Sequence, residues 1–143
     1  MKGSSPLVAV VDDEESVCRA LERLLRSAGF SVATFGSGAD FVKSLATRRP
    51  ACLILDLHMP RMSGFEVQEH LVRSGEPVPV VVITGHDTAQ ARDRVVGAGA
   101  SAFLRKPVDD QALLDAVSKA IPCAGATDGA EGEDESPATP IPR

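Results

Sequence analysis

Four short apolar runs in this 143-residue chain end on polar groups that could do chemistry together. Asp12 and Asp13 follow Leu7–Val11, Asp56 follows 52–55, Thr84 follows 78–83 and Lys106 follows Ala102–Arg105. Three carboxylates in one cleft repel one another and invite a hard divalent cation bound through oxygen, for which Mg²⁺ is the usual choice. A carboxylate in such a cleft is also a nucleophile toward phosphorus, and its attack gives an aspartyl phosphate. Phosphoryl transfer is promoted mainly by positioning and charge neutralisation. The cation could hold one equatorial oxygen, Lys106 a second, and the Thr84 hydroxyl could donate to a third. That allocation uses every group, provided the fold brings the four run ends to one place.

Short β-rich runs alternate with stretches of helical period, the pattern of an α/β fold with a parallel sheet. Strands are expected at Leu7–Val11, Ser31–Phe35, 52–55, 78–84 and Ala102–Arg105. Val17, Leu21, Leu24, Leu25 and Ala28 repeat at helical spacing, and Gly29 can terminate that first helix. Ser37 and Asp40 have capping-box spacing at the start of a second helix, expected to run to Arg48 and Arg49 before Pro50. Ser63 and Glu66 have the same spacing before a third, which Phe65 and Leu71 face inward. A fourth spans 88–97 and is polar over much of its surface, with Gln90, Arg92, Asp93 and Arg94. Asp109 caps a fifth, and Pro122 stops it. In an open parallel sheet, ligands bind at the carboxyl ends of the strands, where every polar candidate sits.

Composition bounds the classes to be considered. With 43% hydrophobic and 24% charged residues, the chain fits a globular protein of one core, built mainly from Val, Leu, Ala and Ile because it has five Phe and no Trp or Tyr. The net charge is −5, of which residues 123–143 carry −4. No clustered basic face suggests nucleic-acid binding, so no direct nucleic-acid partner is expected. Cys18, Cys52 and Cys123 are odd in number and lack metal-ligand spacing, which points to a reduced, cytoplasmic setting. The apolar run at 7–11 is too short for a signal peptide, and no run approaches a membrane span. After Pro122 the chain turns to Gly, Ala, acidic residues, Ser and Pro. Residues 123–143 are therefore expected to be a disordered acidic tail, residues 1–5 a loose lead, and residues 6–122 the folded domain.

Each candidate has a plainer explanation when taken alone. The run Asp12-Asp13-Glu14-Glu15 could simply cap a helix and complement its macrodipole. Asp56 could cap a turn, Thr84 could be an ordinary strand end, and Lys106 an ordinary surface lysine. Independent caps have no reason to gather at one edge of one sheet, and that coincidence favours a site. His58 and His86 lie two residues beyond Asp56 and Thr84, where they would flank the site. His70, on the third helix, reads as solvated surface. Gly36-Ser37-Gly38 fails as a dinucleotide fingerprint because Phe41 stands where the third glycine is needed.

Taken together, Asp12-Asp13, the segment from Asp56 through Leu57-His58-Met59-Pro60-Arg61-Met62-Ser63 to Gly64, Thr84-Gly85 and Lys106-Pro107 resemble the response-regulator receiver domain of bacterial two-component signalling. The resemblance covers roughly residues 6–121. Thr84-Gly85-His86 and Gly97-Ala98-Gly99-Ala100 are similar to receivers that precede LuxR-type DNA-binding domains. The resemblance implies a doubly wound, flavodoxin-like fold of five parallel strands in the order 2-1-3-4-5 with five flanking helices. It implies that Asp56 accepts a phosphoryl group from a histidine kinase or phosphotransfer protein. Asp13, Asp56 and the backbone carbonyl of His58 would ligate Mg²⁺, with Asp12 acting mainly through water. Thr84 and Lys106 would contact the phosphoryl oxygens, a cis peptide would precede Pro107, and Phe103 would be the aromatic whose rotamer couples to Thr84. Phosphorylation would remodel the face of the fourth helix, fifth strand and fifth helix for a downstream partner protein, with homodimerisation through helices four and five as a further possibility.

Two rivals remain. A phosphohydrolase of the haloacid-dehalogenase type would also use Asp, Mg²⁺, Thr and Lys, but it carries a second Asp two residues after the nucleophile, where this chain has His58. A phosphorylation-independent interaction module would have lost one of the acids, the acceptor or the lysine, and all are present. The expectation is therefore a regulatory phosphoacceptor rather than an enzyme. With only the acidic tail after the fifth helix, it is read as a receiver standing alone unless the sequence is a fragment.

Overall fold

The computed structural model describes residues 5–75 and 77–121. The expected tail, Pro122 and the lead up to Ser4 lie outside them. Five strands, β1 (Leu7–Val11), β2 (Ser31–Phe35), β3 (Cys52–Asp56), β4 (Val80–Thr84) and β5 (Ala102–Arg105), form one parallel sheet in the order β2-β1-β3-β4-β5. They alternate with α1 (Glu15–Ser27), α2 (Gly38–Ser44), α3 (Gly64–Ser74), α4 (Ala89–Gly97) and α5 (Asp110–Ala120). The expected fold class and strand order are those observed.

Strand periodicity divides the core in two. Val8, Val10, Cys52, Ile54, Val81 and Ile83 face α1 and α5, where Cys18, Leu21, Leu25, Leu113 and Val117 meet them. Their alternates Ala9, Val11, Leu53, Leu55, Val80 and Val82 face α2, α3 and α4 through Phe41, Val67, Leu71, Ala91 and Val95. Every residue of β3 and β4 is buried, as expected for central parallel strands covered on both faces. The strand that ends in Asp56 is therefore fixed on both sides.

The helix signals are realised unevenly. Ser63 and Glu66 form a complete capping box at α3, whereas at α2 the Ser37 hydroxyl accepts the Asp40 N–H without a reciprocal bond. Asp is one methylene shorter than the Glu or Gln that completes such boxes. The second helix also ends at Ser44 rather than near Arg48, because Leu45, Ala46 and Thr47 each bond back three residues and tighten the chain into turns. Strand β4 begins at Val80, two residues later than expected. Pro79 has no N–H to give, although its carbonyl still accepts from Leu53 N at 2.8 Å. Asp109 caps α5 as read from the sequence, and Thr88, expected inside the fourth helix, caps α4 instead. Gly29 follows the C-cap of α1 with φ +97°, a conformation that glycine adopts without a Cβ penalty. Among the described residues, no helix is long and apolar enough to cross a membrane.

Candidate functional site

The backbone ladder delivers the candidate residues to one edge. Asp12 N donates to Phe35 O at 3.1 Å, Leu57 N to Ile83 O at 3.3 Å, and Lys106 N to Thr84 O at 2.8 Å. Asp56 pairs with Ile83, and Thr84 with Arg105. Each functional side chain therefore projects from, or just beyond, the last paired residue of its strand. Helix α3 closes in behind Asp56, with Gly64 N bonded to Leu57 O at 3.0 Å. A Cβ at Gly64 would collide with the Asp56 carbonyl and lie 2.8 Å from the Leu57 Cα. Glycine is thus required at that contact.

Asp12, Asp13 and Asp56 offer carboxylate oxygens that all lie within 4.8 Å of one another, with Asp12 and Asp56 buried and Asp13 exposed. Lys106 Nζ stands 2.8 Å from Asp12 Oδ2, 3.2 Å from Glu14 Oε1 and 3.6 Å from Asp56 Oδ1. Asp12 Oδ2 takes the ammonium, while Oδ1 accepts the Glu14 N–H at 2.9 Å. Three carboxylates gathered around one ammonium leave an excess of negative charge, which a hard cation taking oxygen ligands would offset, so the donor set fits Mg²⁺.

Burial, reinforced by the negative charge of Asp12, pushes the Asp56 carboxyl up from its ordinary 3.8 to about 6, against the opposing pull of Lys106 and a hydrogen bond from the His58 backbone. At neutral pH it remains mainly ionised. Burial alone would lower the Lys106 ammonium, but its contact with Asp12 and the charge of Asp56 together hold it above the usual lysine value. The Cys18 thiol, which donates to Asp12 O at 3.2 Å, is raised by burial and by the Asp12 charge. It behaves as packing beneath the site rather than as a nucleophile.

The remaining candidates surround this cluster. Thr84 is buried and turned toward its own loop, accepting the His86 N–H at 3.0 Å and donating to His86 O at 3.4 Å. The Lys106–Pro107 peptide is cis, as the resemblance implied. Phe103 is half-buried against the α2–α3–α4 side of the core. The Arg92 guanidinium lies 4.9 Å from its ring centroid, and the same group binds both oxygens of Asp87. The exposed rings of His58 and His86 stack edge to face at 4.9 Å, so the two loops beyond Asp56 and Thr84 touch. Arg94 caps Phe65 at 4.2 Å, and Phe65 in turn meets His58. His70 is half-buried rather than fully solvated.

Sequence reasoning missed the Glu14 contact with Lys106 and both guanidinium caps. The arginines had been read as polar surface. Arg92 and Arg94 with two phenylalanines nearby in the fold are the only hint, and it becomes readable only once β5 and α3 are placed against α4.

The chain is similar to known proteins. The chain is 36% identical over 124 residues to the response regulator protein TodT of Pseudomonas putida, covering 87% of this chain and 55% of TodT. It is 40% identical over 111 residues to nodulation protein W of Bradyrhizobium diazoefficiens, covering 78% and 49%. The chain thus spans about half the length of these curated relatives. Among solved structures, a response regulator receiver protein from Burkholderia phymatum matches with a TM-score of 0.69 and 44% identity, over 82% of this chain and 99% of that one. Residues 8–118, from the first strand through nearly all of the last helix, match the family described as the response regulator receiver domain. With the sheet order, the acidic pocket and the lysine already in place, this shows that the chain belongs to that family, the receiver domains of two-component systems.

Proposed function

We propose that Asp56 is the phosphoacceptor of this receiver, and that a histidine kinase or phosphotransfer protein supplies the phosphoryl group from a phosphohistidine. The observation that carries this reading is the buried Asp56 carboxylate at a strand end, with Lys106 Nζ 3.6 Å away and two further carboxylates beside it. A carboxylate oxygen of Asp56 attacks phosphorus, a P–O bond forms as the donor's P–N bond breaks, and the leaving imidazole recovers a proton. Asp13 and Asp56, with the His58 backbone carbonyl, would hold Mg²⁺, and Asp12 would act on its water. The bound cation supplies neutralisation of charge on the transferring group.

The chain's own residues do the rest. Lys106 supports a second phosphoryl oxygen, and the Thr84 hydroxyl, released from His86, supports a third. Thr84 and Lys106 are joined through the backbone, so movement at one strand end is felt at the next. The reading extends to Phe103 as the switch aromatic and to the face of α4, β5 and α5 as the surface offered to a downstream partner protein. Self-association through α4 and α5 is a further possibility under this reading, and unchanged sedimentation mass with and without a phosphoryl mimic at high protein concentration would remove it.

The test is incubation with Mg²⁺ and acetyl phosphate, followed by intact-mass analysis. One base-labile phosphate is expected on the native protein and none on Asp56→Asn. No adduct, or an adduct that survives the substitution, would refute the assignment.

A further inference from the structure

We infer that Glu14 is a positioning residue for the phosphoacceptor site, acting through Lys106: it holds the ammonium off Asp56 and releases it when a phosphoryl group arrives. This rests on the reading of Asp56 as acceptor and goes beyond it, because Glu14 belongs neither to the metal-binding set nor to the phosphoryl contacts.

Three observations carry it. Glu14 is the N-cap residue of α1, yet its side chain makes no capping bond. Glu is one methylene longer than the Asp that caps well at this position, so its carboxylate is free to reach elsewhere. Here the carboxylate instead crosses to a residue 92 positions away, accepting from Lys106 Nζ at 3.2 Å. Meanwhile Asp12 Oδ1 takes the Glu14 N–H and holds the β1–α1 turn in place.

The third observation is the order of distances at the ammonium. Nζ is nearer to Asp12 and Glu14, at 2.8 and 3.2 Å, than to Asp56 at 3.6 Å. Of the three carboxylates, Glu14 is the exposed one, with a side-chain exposure of 61%. An ion pair to such a group is weak and easily surrendered. Asp12 is buried and keeps its partner. When Asp56 carries the phosphoryl dianion, the contact that Lys106 gives up is therefore the one with Glu14. Its strength is subtracted from whatever the ammonium contributes to the transferring group.

Glu14→Gln keeps the length of the side chain and removes the charge. Two effects follow in the same direction: the freed lysine neutralises the transferring phosphoryl group better, and the rim loses a charge that repels an anionic donor. Only the first requires Lys106, so a double-mutant cycle separates them. The four proteins are the native chain, Glu14→Gln, Lys106→Ala and the double variant. Each is treated with acetyl phosphate at saturating Mg²⁺, the initial rate is read by intact mass, and folding is checked by circular dichroism melts.

Glu14→Gln is expected to raise the rate roughly twofold to fivefold, the range of an exposed ion pair. In the Lys106→Ala background its effect should shrink to the loss of rim repulsion alone. An equal acceleration in both backgrounds would reduce Glu14 to a through-space charge and overturn the inference, as would no acceleration in the native background. If Lys106→Ala accepts no phosphate, the crystal structure of Glu14→Gln decides: Nζ should move closer than 3.6 Å to Asp56 Oδ1, and an unmoved lysine overturns the inference. No adduct on the native protein would remove the phosphoacceptor reading and this inference with it, whereas a normal adduct without coupling between Glu14 and Lys106 removes this inference alone.

Discussion

Replacing Asp56 with Asn should stabilise the metal-free protein at neutral pH. Folding lifts this carboxyl from 3.8 to about 6, because burial and the charge of Asp12 outweigh Lys106 and the His58 hydrogen bond. Ionised Asp56 therefore costs the folded state about 3 kcal/mol at pH 7. The asparagine Oδ1 can still accept the His58 N–H, and its amide brings a donor toward the Asp12 carboxylate. Lys106 loses its 3.6 Å contact, so a net gain of about 1–3 kcal/mol is expected, an increase in Tm on the order of 10 °C at most. The sign with pH is specific. Folded Asp56 holds its proton more tightly than the unfolded chain does, so the native protein gains stability as pH falls from about 6 toward 3.8 and Asp56→Asn does not. The advantage of the variant is complete above pH 6 and closes below 3.8. Urea melts of both proteins in EDTA at pH 7 and pH 4.5 measure it. A variant no more stable than the native protein at pH 7, or a gap of the same size at both pH values, would refute the account of a strained acidic pocket.

Magnesium should relieve the same strain and stabilise the native protein. At one hundred times its Kd it stabilises by about 2.7 kcal/mol, and Asp13→Asn should abolish most of that gain, as read by melting temperature with Mg²⁺ and with EDTA. The rate of phosphorylation by acetyl phosphate should fall as pH drops through the Asp56 range near 6 when Mg²⁺ is scarce, because the protonated carboxyl is no nucleophile; raising Mg²⁺ should move the midpoint to lower pH, and a midpoint that ignores Mg²⁺ would contradict the assignment. Gly64→Ala should destabilise by more than about 2 kcal/mol in urea melts, since the new methyl group meets the Asp56 carbonyl rather than a side chain that can swing away.

The strands and the polar residues at their ends, Asp12, Asp13, Asp56 and Lys106, were legible because they depend on short-range signals, whereas the order of the strands came from the family resemblance. Apolar runs with a two-residue period mark the strands, and polar residues at their ends mark the edge where ligands gather. Helix starts were legible for the same reason, since Ser63 and Asp109 cap locally. Helix and strand ends were less so: α2 stops at Ser44 and β4 waits for Val80. In both places individual backbone bonds, rather than hydropathy, decide the boundary. What could not be read were contacts between residues distant in sequence, such as Glu14 with Lys106 or Arg92 with Phe103. Their partners are chosen by the packing of elements, and no spacing within one segment encodes them.

Helix α4 carries a consequence for how this protein comes apart. It buries only Ala91 and Val95, and it is tied further by Gln68 donating to Val95 O, by Arg92 over Phe103 and by Arg94 over Phe65. The head group that grips each ring is chemically the guanidinium ion. Guanidinium chloride is therefore a soluble copy of α4's own fastener and competes for both phenylalanine faces, while its chloride partner screens the Asp87 and Glu69 contacts that steer those arginines. Urea does neither. The two denaturants should thus disagree about the order of events, with α4 peeling away ahead of the sheet in guanidinium and closer in step with it in urea.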